Sequence, residues 1–226
     1  MDVNISGKVV FTLFNTIVVT DTVVNTWWIM GFITVLAYFG GRLFKNRPVN
    51  QPPAGAENVA EAIYSLTEGL VVSNMGEENK KYIPYIGTLM IFLAITNLSG
   101  LVGIKPPTSD LHTTGALAIL TFILIQGTAL KGGLWNYLKG FAQPLWPLLP
   151  INLIGEVATP FSLAFRLFGN ILSGYMIMGI FYGALVKIWY LFFIAQPFHM
   201  YFDLFSGLIQ TFIFISLTMV YIRSKQ

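Results

Sequence analysis

The sequence predicts an all-α integral membrane protein: five membrane-embedded helices plus one interfacial amphipathic helix, the last two embedded helices forming a long tilted hairpin. Three observations carry that expectation. Only 10% of the 226 residues are charged while 55% are hydrophobic, against about 25% charged in soluble domains. Apolar runs of membrane-crossing length recur between clusters of basic and proline residues, and about 20 residues at 1.5 Å rise cross a hydrocarbon core of roughly 30 Å. No hydrophilic stretch is long enough for a separate soluble domain, so residues 1–226 read as one transmembrane domain. The chain has no cysteine, which excludes disulfides, thiolate metal sites and thiol nucleophiles. Its formal charge of +3 does not argue for nucleic acid, because the basic residues are scattered near helix ends.

Residues 1–21 mix Val, Phe and Thr with polar breaks and read as an external segment with a hairpin near Asn15. Asp2 precedes Lys8, the first cation, and no small-residue cleavage site follows an apolar core, so this start does not read as a cleaved leader. The first span covers 22–43, with Trp27 and Trp28 near one interface; Arg42, Lys45 and Arg47 follow, and Pro48, Pro52 and Pro53 end it in a loop. Residues 57–75 differ: Val59, Ile63, Leu66 and Leu70 recur at helical spacing while Glu57, Glu61 and Glu68 lie off that stripe. Such a helix is too charged to span and suits either the membrane surface or a protein neighbour.

Spans at 82–102 and 113–130 follow, joined by a loop from Gly103 to His112. Lys131 and Lys139, with Trp135, Trp146, Pro144, Pro147 and Pro150, then read as an interfacial connector. From Ile151 to Tyr190 the apolar character persists, about 60 Å as one helix. Either two helices meet near Gly179–Gly183 or one helix lies strongly tilted. The lack of a polar loop between the halves favours the single helix over 151–190. The last helix covers 198–222 after Gln196-Pro197, closing with Arg223 and Lys225.

Orientation follows from the distribution of Lys and Arg. With the N-terminus outside, Arg42, Lys45, Arg47, Lys80, Lys81, Lys131, Lys139, Arg223 and Lys225 lie inside, against Lys8, Lys105 and Lys187 outside. The expected C-terminus is therefore cytoplasmic.

Arg166 is the residue that points to function. It is a lone cation within a long apolar run, where an arginine costs roughly 2.5–3.5 kcal/mol by insertion scales and cannot shed its proton. It either snorkels or locks two helices together, or it has a functional role at membrane depth. The spacing favours the last. On an α-helix Ser162, Arg166, Asn170, Ser173 and Gly174 share a face, and on the final helix so do His199, Asp203, Ser206, Gly207 and Gln210. Two polar stripes on consecutive apolar helices are expected to line one hydrated path or protein surface, since lipid would leave them unsatisfied. Asp203 beside His199 reads as a proton relay or as an anchoring hydrogen-bonded pair. Glu156, almost three turns before Arg166, reads as the cytoplasmic end of a polar path or as a helix cap. Asp110 and His112 read as a channel mouth or as a turn and cap. There is no phosphate-cradling glycine loop, the two histidines lack metal-ligand spacing, and no hydrolytic triad stands out. No cofactor is therefore expected.

The run Pro160-Phe161-Ser162-Leu163-Ala164-Phe165-Arg166-Leu167-Phe168-Gly169-Asn170 resembles the signature of subunit a of F-type ATP synthases. The run Gly207-Leu208-Ile209-Gln210-Thr211-Phe212-Ile213-Phe214, with Leu217-Thr218 and Val220-Tyr221, is similar to that family's last helix. Pro107-Thr108-Ser109-Asp110-Leu111, Thr96-Asn97-Leu98 and the segment from Asp21 to Trp27 agree further, so the resemblance covers nearly the whole chain in order. It implies an ion-translocating stator in the Fo motor of a bacterial plasma membrane, passing H⁺ or Na⁺ through two offset half-channels to the carboxylates of a c-subunit ring. The peripheral-stalk b subunits, the F1 sector and membrane lipid are the other implied partners, with no catalytic site in this chain. Arg166 takes the place of the family's essential arginine, Asn170 and Gln210 those of its asparagine and glutamine, and Asp203 a position often held by His or Glu. Asn97 joins Asp110 and His112 as a candidate for the channel mouth. Some members carry glutamate after the glycine matching Gly174, where this chain has Tyr175, so Asp203 is expected to supply the outer carboxyl group alone. The competing reading is a secondary transporter with a buried Arg–Asp gate, which would be expected to show internal repeats; no convincing repeat is present.

Overall fold

The computed structural model describes residues 9–13, 17–45, 55–131, 133–141, 146–185 and 197–226. Outside these lie the expected turn at Asn15, the loop prolines Pro48, Pro52 and Pro53, the connector's Pro144, Lys8, Arg47 and Lys187, and the long helix beyond Leu185. Five helical stretches are long and apolar enough to cross a membrane: Asp21–Arg42, Glu77–Val102, Leu111–Lys131, Trp146–Gly183 and Pro197–Ser224. The protein is thus the all-α, multi-pass membrane protein that its hydropathy predicts.

The small exception is a hairpin. Strand β1 (Val9–Leu13) pairs antiparallel with β2 (Ile17–Thr20), which leads directly into α1 (Asp21–Lys45). Helix α2 (Ala56–Met75) ends at Gly76, whose φ of 85° suits a residue without Cβ. A 3₁₀ turn, Glu77–Tyr82, runs into α3 (Ile83–Leu98), where Pro84 sits at the helix start and forfeits no helical hydrogen bond. Helix α4 (Leu111–Lys131), the short α5 (Leu134–Phe141), α6 (Leu149–Leu185) and α7 (Gly207–Ser224) complete the order. A seven-residue π segment, Met200–Ser206, leads into α7.

Helices α3, α4, α6 and α7 form the bundle. Near one end Val71, Met75, Ile83, Ile86, Ile125, Ile215 and Met219 pack together; toward the middle Leu89, Leu93, Ala118, Leu163, Leu167, Ile171 and Phe214 do so. Lys80, Lys131, Lys139, Arg223 and Lys225 gather at the first of these ends, called here the basic end. At the opposite end α1 is tied to the loop before α4: Thr22 Oγ1 donates to Asp110 Oδ2 (2.7 Å) and Asn25 Nδ2 to the Lys105 carbonyl (3.2 Å).

Helix α6 has 37 residues, about 55 Å at 1.5 Å per residue. It is nearly twice as long as a hydrocarbon core of about 30 Å is thick, so lying wholly within that core would require it to lean. Pro160 lies inside it, leaving one backbone carbonyl unserved, as membrane helices tolerate; the neighbouring Gly155 carbonyl accepts the Thr159 hydroxyl at 3.1 Å.

Helix α2 differs from its sequence pattern. Of the apolar stripe, Val59, Ile63 and Leu66 are exposed while Leu70 packs partly buried against the core, and the fully buried line is Thr67, Val71 and Met75. The two helices approach where Thr67 lies beside Gly87 of α3, a Cβ on which would meet Thr67 Cγ2 at 3.4 Å.

Candidate functional site

Helix α6 presents two faces. Leu163, Ala164, Leu167, Ile171 and Met178 are buried against the bundle. One turn around the helix, Ser162, Arg166, Asn170, Ser173 and Ile177 are exposed. Arg166 thus stands on the outer face, among exposed Phe161 and Phe165, and no hydrogen bond or ion pair joins it to another described residue. Ser173 returns its hydroxyl to the Gly169 carbonyl of its own helix.

The hairpin helices meet beside Arg166. Asn170 Nδ2 donates to Gln210 Oε1 at 2.7 Å. Gln210 is only 1% exposed and its Nε2 has no hydrogen-bond partner, so this amide is held from one side only. Further along, a Cβ on Gly174 would meet Phe202 Cβ at 3.4 Å; the glycine lets the hairpin close.

The second stripe is split between two neighbours. Regular α-helical spacing puts Asp203, Ser206, Gly207 and Gln210 on one face, but the π segment spanning Asp203 and Ser206 changes the phase. Asp203 and Gly207 turn toward the end of α3: a Cβ on Gly100 would lie 3.1 Å from Asp203 Oδ1, and one on Gly207 would lie 3.3 Å from Asn97 Cβ. Gln210 alone of the set reaches α6 through a side-chain hydrogen bond. His199 Nδ1 and Asp203 Oδ2 are in contact, both side chains largely buried, and the His199 ring lies 5.3 Å from that of Tyr182 on α6. Ser206 is half-buried.

Asn97, 2% exposed, uses its whole amide. Its Nδ2 donates to the Gly207 carbonyl (3.1 Å) and Thr211 Oγ1 (3.0 Å), and its Oδ1 accepts from Thr108 Oγ1 (2.7 Å). It ties α3, α7 and the loop before α4. Asp110 caps α4, accepting from the His112 backbone N–H at 3.0 Å and facing its ring Nδ1 at 2.9 Å. Burial pushes the Asp110 carboxyl up, but the Thr22 hydroxyl and the His112 backbone and ring more than reverse this, so it titrates below the ordinary carboxylate value.

Glu156 lies at the basic end, where it has two hydrogen-bonding partners and a third residue braces one of them. Gln126 Nε2 of α4 donates to Oε1 at 2.6 Å, and Lys225 Nζ, just past α7, reaches Oε2 at 2.6 Å. Tyr137 of α5 donates to Gln126 Oε1 at 2.7 Å. A cavity of about 1040 Å³ opens here, with Tyr137, Asn152, Glu156, Thr159 and Lys225 in its wall. Sequence reasoning did not single out Gln126, Tyr137 or Lys225 as partners of Glu156. Gln126 alone carried a signal, as the one side-chain amide in the apolar run of α4.

Five apolar helices, with a permanent cation facing outward from the longest, define a multi-pass membrane protein. A family model described as ATP synthase A chain matches residues 5–223. The chain is similar to the sodium-ion-specific ATP synthase subunit a of Propionigenium modestum, 38% identical over 224 residues that cover 92% of this chain and 74% of the relative. It is 39% identical to ATP synthase subunit a of Moorella thermoacetica over 206 residues, covering 90% and 89%. The corresponding subunit of Geobacter sulfurreducens is 33% identical over 210 residues, covering 91% and 87%. This chain belongs to the ATP synthase A chain family and is a membrane subunit of that multisubunit enzyme.

Proposed function

We propose that this chain is the stator of a rotary Fo motor, passing ions through two offset half-channels to and from the carboxylates of a c-subunit ring. The observation that carries the reading is Arg166: a cation that cannot deprotonate, at membrane depth, on the outer face of α6 and without a partner in the described chain. With no partner among the described residues, a passing acidic group outside the chain is the chemistry that complements it. Ions gain access from the outer side past His199 and Asp203 and load a ring carboxylate. After nearly a full turn they leave through the basic-end cavity bordered by Glu156. Arg166 stands between the two paths, favours the emptied carboxylate as it passes, and repels a cation that would leak straight across. Asn170 and Gln210 brace the helix beside it.

The attraction must stay modest or the ring would stick. Unit charges 4 Å apart attract by about 4 kcal/mol at an effective dielectric of 20 and about 1 kcal/mol in water, so a hydrated contact keeps rotation free. The basic end faces the bacterial cytoplasm in this reading. The peripheral-stalk b subunits and the F1 sector complete the coupling, and exposed Val59, Ile63 and Leu66 on α2 lie against lipid or a stalk neighbour.

Arg166→Ala is expected to abolish proton- or sodium-driven ATP synthesis while the complex still assembles in the membrane; normal ATP-driven pumping by that variant would falsify the role. The coupling ion is H⁺ or Na⁺. Protection of the ring carboxylate from carbodiimide labelling by added sodium in the purified complex identifies Na⁺, and labelling indifferent to sodium identifies H⁺.

A further inference from the structure

The basic-end cavity poses a problem that the half-channel reading does not answer. Glu156 is largely buried, its side chain 16% exposed, and it faces the route by which the ion leaves. A buried carboxylate so placed, lacking a cation of its own, holds the departing cation, because a buried charge is costly unless paired. It would then be a trap on the exit path.

The chain supplies that cation itself. Lys225 Nζ lies 2.6 Å from Glu156 Oε2, while Gln126 Nε2 fills Oε1 at the same distance. Residues on both sides of Lys225 are pinned. Arg223 Nη1 donates to the Asn74 carbonyl at 2.7 Å, and Gln226 and Asn79 exchange amide hydrogen bonds in both directions at 2.7 Å. The lysine stem passes Phe141, with Nζ 5.7 Å from the ring centroid. The ammonium is thus held across the gap between the α6 and α7 ends rather than free to wander. The other groups facing Glu156 are Gln126 from α4 and Tyr137 from α5; Lys139, in the wall of the adjoining apolar groove, sits over the Trp135 ring instead.

We propose that Lys225 is a tethered counter-cation that occupies Glu156 and keeps the basic-end vestibule from retaining the translocated ion. This rests on the stator reading. Lys225 is a positioning residue here: it acts through Glu156 and touches no reacting group of the ring.

The test uses the complete ATP synthase reconstituted in vesicles, with ATP synthesis followed as the coupling ion, H⁺ or Na⁺, is raised on the basic-end side. Lys225→Gln is expected to lower the half-inhibitory ion concentration on that side at least tenfold. Lys225→Arg, which keeps the charge, retains the parental value, and the neutral pair Lys225→Gln with Glu156→Gln returns toward it. An unchanged ion dependence in an assembled Lys225→Gln complex overturns the proposal. Should that single variant fail to assemble, the neutral pair decides: parental ion dependence supports a counter-cation, whereas altered dependence or failed assembly shows a structural tie and overturns it. Unchanged behaviour of Lys225→Gln alongside an inactive Arg166→Ala sinks this inference alone; active Arg166→Ala sinks the stator reading.

Discussion

Asn97 and Arg166 are both polar side chains set in apolar helices, yet the fold treats them in opposite ways. Asn97 is enclosed, and three partners from a loop and a neighbouring helix take every hydrogen bond its amide is given. Arg166 points outward and is met by no described residue. A polar group at membrane depth has to be satisfied somewhere. For Asn97 the answer lies within the chain, so its contribution is to stability. For Arg166 no described residue supplies it, and the function proposed above assigns its charge to a partner that passes outside the chain.

That contrast can be broken by measurement. The largest effect is expected at Arg166, where alanine removes coupled synthesis but leaves the thermal stability of the assembled complex unchanged. A variant that assembled poorly would move Arg166 into the same class as Asn97. Next comes Asn97→Ala, which leaves Thr108 Oγ1 without its acceptor and Thr211 Oγ1 without its donor, while the Gly207 carbonyl keeps the Thr211 hydroxyl at 2.9 Å. A buried group left unpaired costs about 1–3 kcal/mol, so the complex should unfold at lower temperature or denaturant, with its coupling ratio intact where it survives. Asp203→Asn tests the middle ground: ion uptake from the outer side is expected to slow or to change its pH dependence, and transport identical across pH would remove Asp203 from the path. The smallest effect is expected at Asp110→Ala, where losing a helix cap costs about 0.5–2 kcal/mol. Because the Asp110 carboxyl titrates below its unfolded value, its contribution is complete above that unfolded value and fades as pH falls through the folded one. Acidification below about pH 4 should therefore narrow the difference between parent and variant; a difference that widened there would contradict the cap.

The five spans and the exposed face of α6 were legible because both depend on a regular period. Apolar residues enough for a span declare themselves, and Ser162, Arg166, Asn170 and Ser173 keep α-helical spacing throughout. What escaped the sequence did so for physical reasons. The π segment breaks that spacing, so Asp203 and Gln210, seven positions apart, serve different neighbours. The inward face of α2 is set by packing against other helices, with Thr67 beside Gly87 of α3, which its own periodicity does not report. The partners of Glu156 stand 30 and 69 positions away, a separation over which no local pattern reports contact.

The great length of α6 carries a consequence for timing. A helix of about 55 Å whose ends both reach the edges of a core about 30 Å thick inclines about 57° from the normal. Each turn of about 5.4 Å then descends only about 3 Å and travels about 4.5 Å sideways. On a helix so inclined Arg166, Asn170 and Ser173 would be strung out along the plane more than through its depth. In the rotary function proposed above, a group gliding past at constant height would then meet them one after another, and the slope of a single helix would convert sequence order into the order of events.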